Sequence, residues 1–304
     1  MPSLQDYQGL EDYLEGRSYP KIRGPIIRGA PGPLDCCHND GDGMGGRTVG
    51  ALDGRTILIT GAASGIGRAT AIAAAAAGAS VLTTDIDEDG GHEIAAQVGG
   101  RFLHQDVTDE ARWQEVAAAA GPLQGLVNNA GIAIVRPLLE TSLEDWRKQQ
   151  AVNVEGVFLG VKHILPVIRD AGGGAIVNLS SVAGLRGNSV GLSCYSATKG
   201  AVRLFTKSAA LESARRGWNV RVNSVHPGII DTPIWDRMAE SGPSLFNDSN
   251  ASTDPVQRAS SRVPGGRPGG PENIADAIIF LLSDASSYMT GSELVIDHGM
   301  TAGT

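Results

Sequence analysis

From residue 56 onward the chain alternates short apolar runs with longer stretches of helical periodicity. The apolar runs contain four to six residues each and cover 56–60, 80–84, 101–104, 123–128, 175–179, 220–225 and 293–296. Continuous apolar strands that alternate with helices are typical of a buried parallel sheet with helices on both faces. The pattern therefore predicts an α/β fold in which a single domain, 51–304, contains a doubly wound, parallel, seven-stranded sheet.

Residues 1–50 lack any such period, and Pro20, Pro25, Pro31 and Pro33 precede the Gly- and Asp-rich stretch 39–46. This composition buries little apolar surface, so we expect an irregular N-terminal extension. Met44 is an alternative start of the chain, and the sequence does not decide between the two. Residues 36–40 include two Cys, a His and an Asp. Adjacent cysteines do not match the CxxC spacing of zinc sites, so we predict no metal site.

The 304 residues include 25 Lys and Arg against 33 Asp and Glu, which gives a formal charge of −8. That balance argues against a protein that binds nucleic acid or an anionic membrane. Three cysteines, two of them adjacent, cannot form a disulfide framework and favour a reducing compartment. No run approaches the roughly 20 apolar residues of a membrane helix. We therefore expect a cytoplasmic protein.

A Gly-rich segment, Thr60-Gly-Ala-Ala-Ser-Gly-Ile-Gly67, separates the first predicted strand from an Ala-rich helix that begins near Ile66. Glycines at these spacings allow a tight turn, close approach of the backbone to a pyrophosphate and tight contact between helix and strand. The free N–H groups at a helix N-terminus favour an anion. The segment therefore predicts a dinucleotide-binding loop.

Asp85 lies at the end of the second predicted strand, eighteen residues beyond Gly67. A carboxylate at this place accepts hydrogen bonds from an adenosine ribose and repels a 2′-phosphate, so NAD is favoured over NADP. No Lys or Arg occupies positions 62, 63 or 86 to compensate a phosphate. A solvated turn carboxylate is the alternative, because Asp85 belongs to a local acidic cluster.

Tyr195 and Lys199 are four residues apart on a predicted helix and therefore share one face. A tyrosine is a poor base, with a pKa near 10, and a neighbouring cation favours its phenolate. The pair is a candidate for proton transfer.

Five features occur in order: the segment 60–67, Asn128-Asn-Ala-Gly131, Asn153, Val177-Asn-Leu-Ser-Ser181 and Tyr195-Ser-Ala-Thr-Lys199. Together they resemble the short-chain dehydrogenase/reductase family over about residues 52–303, which implies a Rossmann-type fold. Two further segments, 222–228 and 281–291, are similar to the branch that contains hydroxysteroid and cyclic secondary-alcohol dehydrogenases.

The resemblance implies a role for each of four catalytic residues. Tyr195 would be the general acid/base, and Ser181 would hydrogen-bond the substrate oxygen. Lys199 would bind the nicotinamide ribose and, with the oxidised ring, lower the pKa of Tyr195. Asn153 would hold a water that relays protons to solvent.

The resemblance also implies a cofactor site, with Asp106 and Val107 beside the adenine. The implied cofactor-binding residues are Gly61, Ser64, Gly65, Ile66, Gly67, Asp85, Asp106, Val107, Asn128, Asn129, Ala130, Gly131, Tyr195, Lys199, Pro227, Gly228, Ile230 and Thr232. The chemistry requires no metal.

Two features depart from the family pattern. Ser181 precedes Tyr195 by 14 residues, a little more than in relatives, so Ser180 stays an alternative to Ser181. Asp297-His298-Gly299 replaces the usual Asp-Gly-Gly. His298 is expected at the surface, with a subunit boundary or a neighbouring active site as the alternatives.

Substrate specificity is expected from residues 229–270, interpreted either as a mobile lid or as a surface excursion packed on the domain. Its apolar side chains are Ile234, Trp235, Met238, Leu245 and Phe246. The opposite wall is expected from Val190, Leu192 and Cys194. Arg186, Arg237 and Arg262 are unplaced candidates for binding a carboxylate, and an uncharged substrate is preferred.

The leading hypothesis is an NAD-dependent enzyme that interconverts a secondary alcohol and a ketone on a cyclic or steroid-like skeleton. One alternative is a 3-oxoacyl thioester reductase that uses NADPH, and another is a non-catalytic dinucleotide-sensing protein. The resemblance also implies a homotetramer or homodimer, with the helices around 142–170 and 195–216 packed across subunits.

Overall fold

The computed structural model describes residues 50–187, 190–241 and 254–303. The predicted N-terminal extension, apart from residue 50, lies outside these residues. These ranges contain seven strands: β1 (Thr56–Thr60), β2 (Ser80–Asp85), β3 (Arg101–His104), β4 (Gly125–Asn128), β5 (Gly174–Leu179), β6 (Val220–Pro227) and β7 (Glu293–Ile296).

All seven strands join one parallel sheet in the order β3-β2-β1-β4-β5-β6-β7. The chain adds β2 and β3 on one side of β1 and then crosses to the other side with β4. The strand order therefore reverses between β1 and β4, and the loops that follow these strands diverge to leave a crevice at their carboxyl ends. The predicted doubly wound, Rossmann-type fold is confirmed.

Helices cover both faces of the sheet. The helices are α1 (Gly65–Ala76), α2 (Glu88–Val98), α3 (Glu110–Ala120), α4 (Leu143–Gln150), α5 (Gly156–Asp170), α6 (Ser193–Arg215), α7 (Ile234–Ser241), α8 (Pro255–Arg262) and α9 (Pro271–Leu282). A π-helical turn, Ala151–Glu155, joins α4 to α5 without a break.

The alternation of side chains along β1 divides the core into two halves. Ile57 and Ile59 pack on one face, where α1 and α9 cover them. Leu58 points to the other face and packs with Trp113 of α3 and Ile164 of α5. Both faces of the sheet are buried, which explains why its strands are apolar without alternation.

One continuous helix among the described residues, Leu143–Asp170, is long and apolar enough by composition to cross a membrane. Half of its most apolar window is buried within the protein. Its buried residues, such as Leu159, Ile164 and Ile168, pack in the same core as Trp113. The apolar character of this helix is therefore accounted for by its place against the sheet.

Candidate active site

A cavity of about 730 Å³ opens at the crevice between the ends of β1 and β4 and extends past the ends of β5 and β6. Most residues named from the resemblance line it. These are Gly61, Ser64, Gly65, Ile66, Asp85, Asp106, Val107, Asn129, Ala130, Gly131, Ser181, Tyr195, Lys199, Pro227, Gly228, Ile230 and Thr232. Gly67, Asn128 and Asn153 do not line the cavity but lie behind its wall.

The Gly-rich loop is closely packed against the loop that follows β4. Gly61 has a φ of +63°, and a Cβ on it would lie 2.8 Å from Ala130 Cα. A Cβ on Gly67 would lie 2.1 Å from the carbonyl oxygen of Gly61. Asn129 Nδ2 donates to the carbonyl oxygens of Thr60 and Gly61, each at 2.9 Å. Only glycine fits at positions 61 and 67, and the two loops form one rigid floor.

The cavity carries features that suit a dinucleotide. Ser64, the N-cap of α1, accepts no hydrogen bond on its side chain, and the first turn of α1 has no acidic residue. The N–H groups of this turn are therefore available to a diphosphate. The amide of Gln105, a buried lining residue, has neither polar atom hydrogen-bonded. An unpartnered amide at this edge fits a polar base such as adenine.

Backbone N–H groups of two nearby residues hold the carboxylate of Asp85 in place. Its Oδ2 accepts a hydrogen bond from Ala63 N at 2.9 Å, and its Oδ1 accepts one from Asp87 N at 3.0 Å. These bonds fix the carboxylate between the Gly-rich loop and the start of α2. Asp106 is held in a similar way, because its Oδ1 accepts from the N and Oγ1 of Thr108 at 2.9 and 2.8 Å.

Ser181, Tyr195 and Lys199 meet at the other end of the cavity. The hydroxyl groups of Tyr195 and Ser181 are hydrogen-bonded to each other. Lys199 Nζ lies 5.7 Å from the centre of the Tyr195 ring and donates to the carbonyl oxygen of Leu179 at 2.8 Å. The three side chains come from the end of β5 and one face of α6, as the four-residue spacing predicts.

The electrostatics of this group differ from the expectation in one respect. Burial raises the pKa of Tyr195 to about 12, and the hydrogen bond from Ser181 opposes this only in part. Burial also lowers the pKa of Lys199 to about 8. In the protein alone, loss of hydration therefore sets the direction of both shifts, and Lys199 is not among the causes that lower the pKa of Tyr195.

Asn153 lies in the π-helical turn and is fully buried. Its Oδ1 accepts from Ile132 N at 2.8 Å, and its Nδ2 donates to Ile132 O at 2.8 Å and to Thr198 Oγ1 at 3.1 Å. Both amide protons are thereby used within the protein. The structure shows Asn153 joining the loop after β4 to α6, and a water held by Asn153 stays a prediction.

The two candidate serines differ in their contacts. Both serines line the cavity, and Ser180 Oγ donates its proton to the carbonyl oxygen of Lys199 at 2.8 Å. Ser181 instead contacts Tyr195. Residues 188 and 189 of the intervening loop lie outside the described part of the chain.

His226 was singled out by no sequence argument, yet it touches the site. It is fully buried at the end of β6, where Nδ1 lies 3.2 Å from the carbonyl oxygen of Ser181 and Nε2 lies 2.8 Å from Ser224 Oγ. The feature of the sequence that could have pointed to His226 is a polar, titratable residue within a predicted buried strand.

Described parts of the segment 229–270 pack over the cavity. Ile234, Trp235 and Met238 lie in one apolar cluster with Leu192 and Tyr195. Leu245 and Phe246 lie outside the described residues. Of the expected opposite wall, Leu192 lines the cavity, whereas Val190 is exposed and Cys194 is buried without lining it.

The arginine candidates separate into two groups. Arg186 donates to the carbonyl oxygen of Met300 and does not line the cavity. Arg237 and Arg262 do line it, together with Arg258, which the sequence argument missed. His298 is exposed, with a φ of +52°, and its ring packs on Gly265. No metal-binding group of three or more His, Cys, Asp or Glu occurs in the described ranges.

Comparison with known proteins agrees with this geometry. A family model described as Enoyl-(Acyl carrier protein) reductase matches residues 61–301. Cyclopentanol dehydrogenase of Comamonas testosteroni is 40% identical over 263 residues, which are 84% of this chain and all of that protein. An NADP-dependent (R)-specific alcohol dehydrogenase of Lentilactobacillus kefiri is 38% identical over 83% of this chain and 98% of its own length.

A 3-alpha-(or 20-beta)-hydroxysteroid dehydrogenase of Mycobacterium tuberculosis is also 38% identical, over 84% of this chain and 92% of its own length. These names fall in the branch of cyclic-alcohol and hydroxysteroid dehydrogenases that the sequence indicated, and that prediction is confirmed. Dehydrogenases of this kind use nicotinamide dinucleotide cofactors. With a family match from residue 61 to residue 301 and relatives aligned over at least 92% of their own length, the chain belongs to the short-chain dehydrogenase/reductase family.

Proposed function

We propose that the protein is an NAD-dependent dehydrogenase that interconverts a secondary alcohol and a ketone. The observation that carries the proposal is the placement of Ser181, Tyr195 and Lys199 in the same cavity as the Gly-rich loop. Relatives named for cyclopentanol and for hydroxysteroids support a cyclic, largely apolar skeleton. The apolar cluster around Trp235 would contact that skeleton.

Tyr195 would protonate the carbonyl oxygen in reduction and deprotonate the alcohol in oxidation. Ser181 Oγ already accepts a hydrogen bond from Ala183 N at 3.1 Å. A hydroxyl has a single proton to donate, so that of Ser181 stays available to the substrate oxygen or to Tyr195. When bound, the nicotinamide ring supplies the hydride acceptor or donor.

Lys199 would hold the nicotinamide ribose. An ammonium group has three N–H donors, and the bond to Leu179 O uses one of them. The remaining donors are free to bind ribose hydroxyls. Burial of Lys199 strengthens these hydrogen bonds, since few water molecules compete for them.

The preference for NAD over NADP rests on Asp85. Two backbone hydrogen bonds fix its carboxylate at the rim of the cavity, where it would accept from the ribose hydroxyls of adenosine. The 2′-phosphate of NADP would lie close to this carboxylate, and the two negative charges would repel each other. One relative is named NADP-dependent, so likeness to this group does not set the cofactor, and the proposal of NAD rests on Asp85.

The test is absorbance of the reduced nicotinamide with NAD⁺ and, separately, NADP⁺. The substrates are cyclic, steroid and aliphatic secondary alcohols and a 3-hydroxyacyl thioester. We expect NAD⁺-linked turnover of cyclic alcohols that Tyr195→Phe abolishes. Tyr288→Phe, which changes a fully exposed tyrosine, serves as the control.

Two results would contradict the proposal. Turnover of the thioester with NADPH preference would instead support a 3-oxoacyl thioester reductase. Binding of NAD without turnover of any substrate would support a dinucleotide-sensing protein.

We also propose a homotetramer. The helices expected at subunit contacts carry apolar side chains on the surface of the single chain. These are Leu143, Trp146, Phe158, Leu204 and Leu211. Surface apolar residues that recur on neighbouring helices suit an interface. Light scattering should give four times the mass of the chain, and a stable monomer with full activity would contradict the proposal.

A cytoplasmic location is proposed from composition. An acidic chain with three cysteines and no disulfide framework suits a reducing compartment. Fractionation of the source cells would test the location, and recovery outside the cytoplasm would overturn it.

A further inference from the structure

The turn that follows β7, residues 297–301, forms part of the cavity wall through the side chain of Met300. The turn begins against Gly228, because a Cβ on Gly228 would lie 2.8 Å from Asp297 Cα. Gly228 lines the cavity at the end of β6, and β6 pairs with β5, which leads into Ser181. The turn therefore lies at the reactive end of the cavity. The reaction proposed above gives Met300 no role.

Apolar side chains connect Met300 with Tyr195. Met300 packs on an apolar cluster that includes Ile229 and Val263, and Trp235 packs on the same cluster. Trp235 also packs in the cluster that contains Tyr195. Met300, Trp235 and Tyr195 all line the cavity. A skeleton whose carbinol carbon reacts beside Tyr195 would therefore extend along Trp235 towards Met300.

The backbone around Met300 is fixed by the carboxylate at the start of the turn. Asp297 Oδ2 accepts from the N and Oγ1 of Thr301 at 2.7 and 2.6 Å. Its Oδ1 accepts from Gly299 N at 3.0 Å. Met300 N donates to the carbonyl oxygen of Asp297 at 3.1 Å. One aspartate thus holds the residues on both sides of Met300, which gives its side chain a defined direction.

Two residues from the sequence analysis fasten this turn to other parts of the chain. Arg186, five residues after Ser181, donates from Nη2 to the carbonyl oxygen of Met300 and does not line the cavity. His298 has a φ of +52°, and a Cβ on Gly265 would lie 2.7 Å from its Nε2. A non-glycine residue at positive φ is strained, and packing of its ring on Gly265 holds it there. Met300 is therefore anchored from two other segments.

We propose that Met300 determines the size of the skeleton that the enzyme accepts, by closing the apolar side of the substrate site beyond Trp235. Arg186 is a positioning residue that acts through Met300. This inference rests on the proposed function and deepens it. A methionine side chain is unbranched and fills irregular apolar space, so replacement by alanine opens this wall and replacement by phenylalanine thickens it.

The test measures kcat/KM with NAD⁺ for cyclopentanol and for the bulkier 4-tert-butylcyclohexanol. The selectivity ratio is kcat/KM for the bulkier alcohol divided by that for cyclopentanol. We expect Met300→Ala to raise this ratio about tenfold or more and Met300→Phe to lower it by a similar factor, since one methylene group in an apolar pocket changes kcat/KM about 10- to 200-fold. A general loss of stability would not move the ratio in opposite directions.

Met289→Ala is the matched control. Met289 is partly buried against the core and does not line the cavity, so this variant loses the same atoms elsewhere. Its selectivity ratio should stay within about twofold of the wild type, as for independent distant sites. A ratio unchanged in both Met300 variants, or shifted in the same direction by both, would overturn the proposal.

Arg186 is tested through its dependence on Met300. Arg186→Met removes the donor to the Met300 carbonyl and should raise the selectivity ratio, though less than Met300→Ala does. Arg186→Lys, which keeps a cationic donor, should recover part of the wild-type ratio. Combined with Met300→Ala, Arg186→Met should cause no further change. Full additivity of the two substitutions would overturn the positioning role.

Calorimetry separates this inference from the proposed function. Both alcohols are titrated into NADH-loaded wild type, Met300→Ala and Met300→Phe, in which no hydride can be transferred to the reduced cofactor. Opposite shifts of the ratio of the two Kd values in the two variants would support the role of Met300 even if no alcohol is oxidised. Equal ratios in all three proteins, or no binding of either alcohol, would overturn it even if turnover is observed with other substrates.

Discussion

His226 donates a hydrogen bond from Nδ1 to the carbonyl oxygen of Ser181, 3.2 Å away. A carbonyl oxygen can only accept, so the proton is on Nδ1. Burial lowers the pKa of His226, which keeps the ring neutral and leaves Nε2 to accept from Ser224 Oγ at 2.8 Å. The tautomer of this buried ring is thus fixed, and with it the backbone of the serine that contacts Tyr195.

Replacement of His226 should therefore affect kcat more than KM. His226→Phe leaves the Ser181 carbonyl without its donor, and an unpaired buried acceptor costs about 1–3 kcal/mol. We expect kcat to fall about tenfold or more. His226→Asn, whose amide can donate to the same oxygen, should recover part of kcat. Steady-state kinetics of both variants provide the measurement, and an equal loss of stability and activity in both would indicate a structural role only.

The same histidine makes stability depend on pH. Its pKa is below the ordinary value of 6.5 because burial, and the charges of Arg203 and Lys199, outweigh the Ser181 carbonyl and Glu293. Below pH 6.5 the unfolded chain binds a proton that the folded chain does not, so stability falls with decreasing pH. Melting temperatures from pH 8 to 5.5 should fall more for the wild type than for His226→Asn. Parallel curves would contradict this prediction.

Lys199→Met should abolish turnover without destabilising the fold. Burial lowers the pKa of Lys199 from 10.5 to about 8, which corresponds to a cost of about 3 kcal/mol for the charged form. Methionine avoids this cost but leaves the Leu179 carbonyl unpaired, at about 1–3 kcal/mol. The two effects nearly cancel. Urea unfolding should give a free energy of unfolding near that of the wild type, and a large loss would show that Lys199 is mainly structural.

Replacement of Asp85 should change the preference of the enzyme for NAD over NADP. Asp85→Asn removes the negative charge and keeps one oxygen to accept a backbone hydrogen bond. We expect the ratio of kcat/KM for NADP⁺ to that for NAD⁺ to rise about tenfold, because the repulsion of a 2′-phosphate is lost. Asp89→Asn is the control, since Asp89 is exposed nearby and does not line the cavity. An unchanged ratio would show that Asp85 does not determine the preference for NAD.

The sequence predicts the sheet well, because burial of both faces leaves continuous apolar residues at the central strands β1, β4 and β5. It also brings Tyr195 and Lys199 together, because a four-residue spacing on a helix is local. Arg258 and His226 could not be assigned in this way. Their partners, Trp235 and Ser181, come from other elements, so only the folded chain shows the contacts. The raised pKa of Tyr195 was missed for the same reason, since burial depends on long-range packing.

The π-helical turn at Ala151–Glu155 also constrains insertions and deletions. A π turn holds one residue more than an α turn, and removing that residue would rotate α4 by about 100° relative to α5. Gln149 and Asn153, which now bind Ile134 N and Ile132 N, would then point in different directions. The length of this helix is therefore fixed by helical phase, and a one-residue deletion here should disrupt the cavity floor although the surrounding sequence is unchanged.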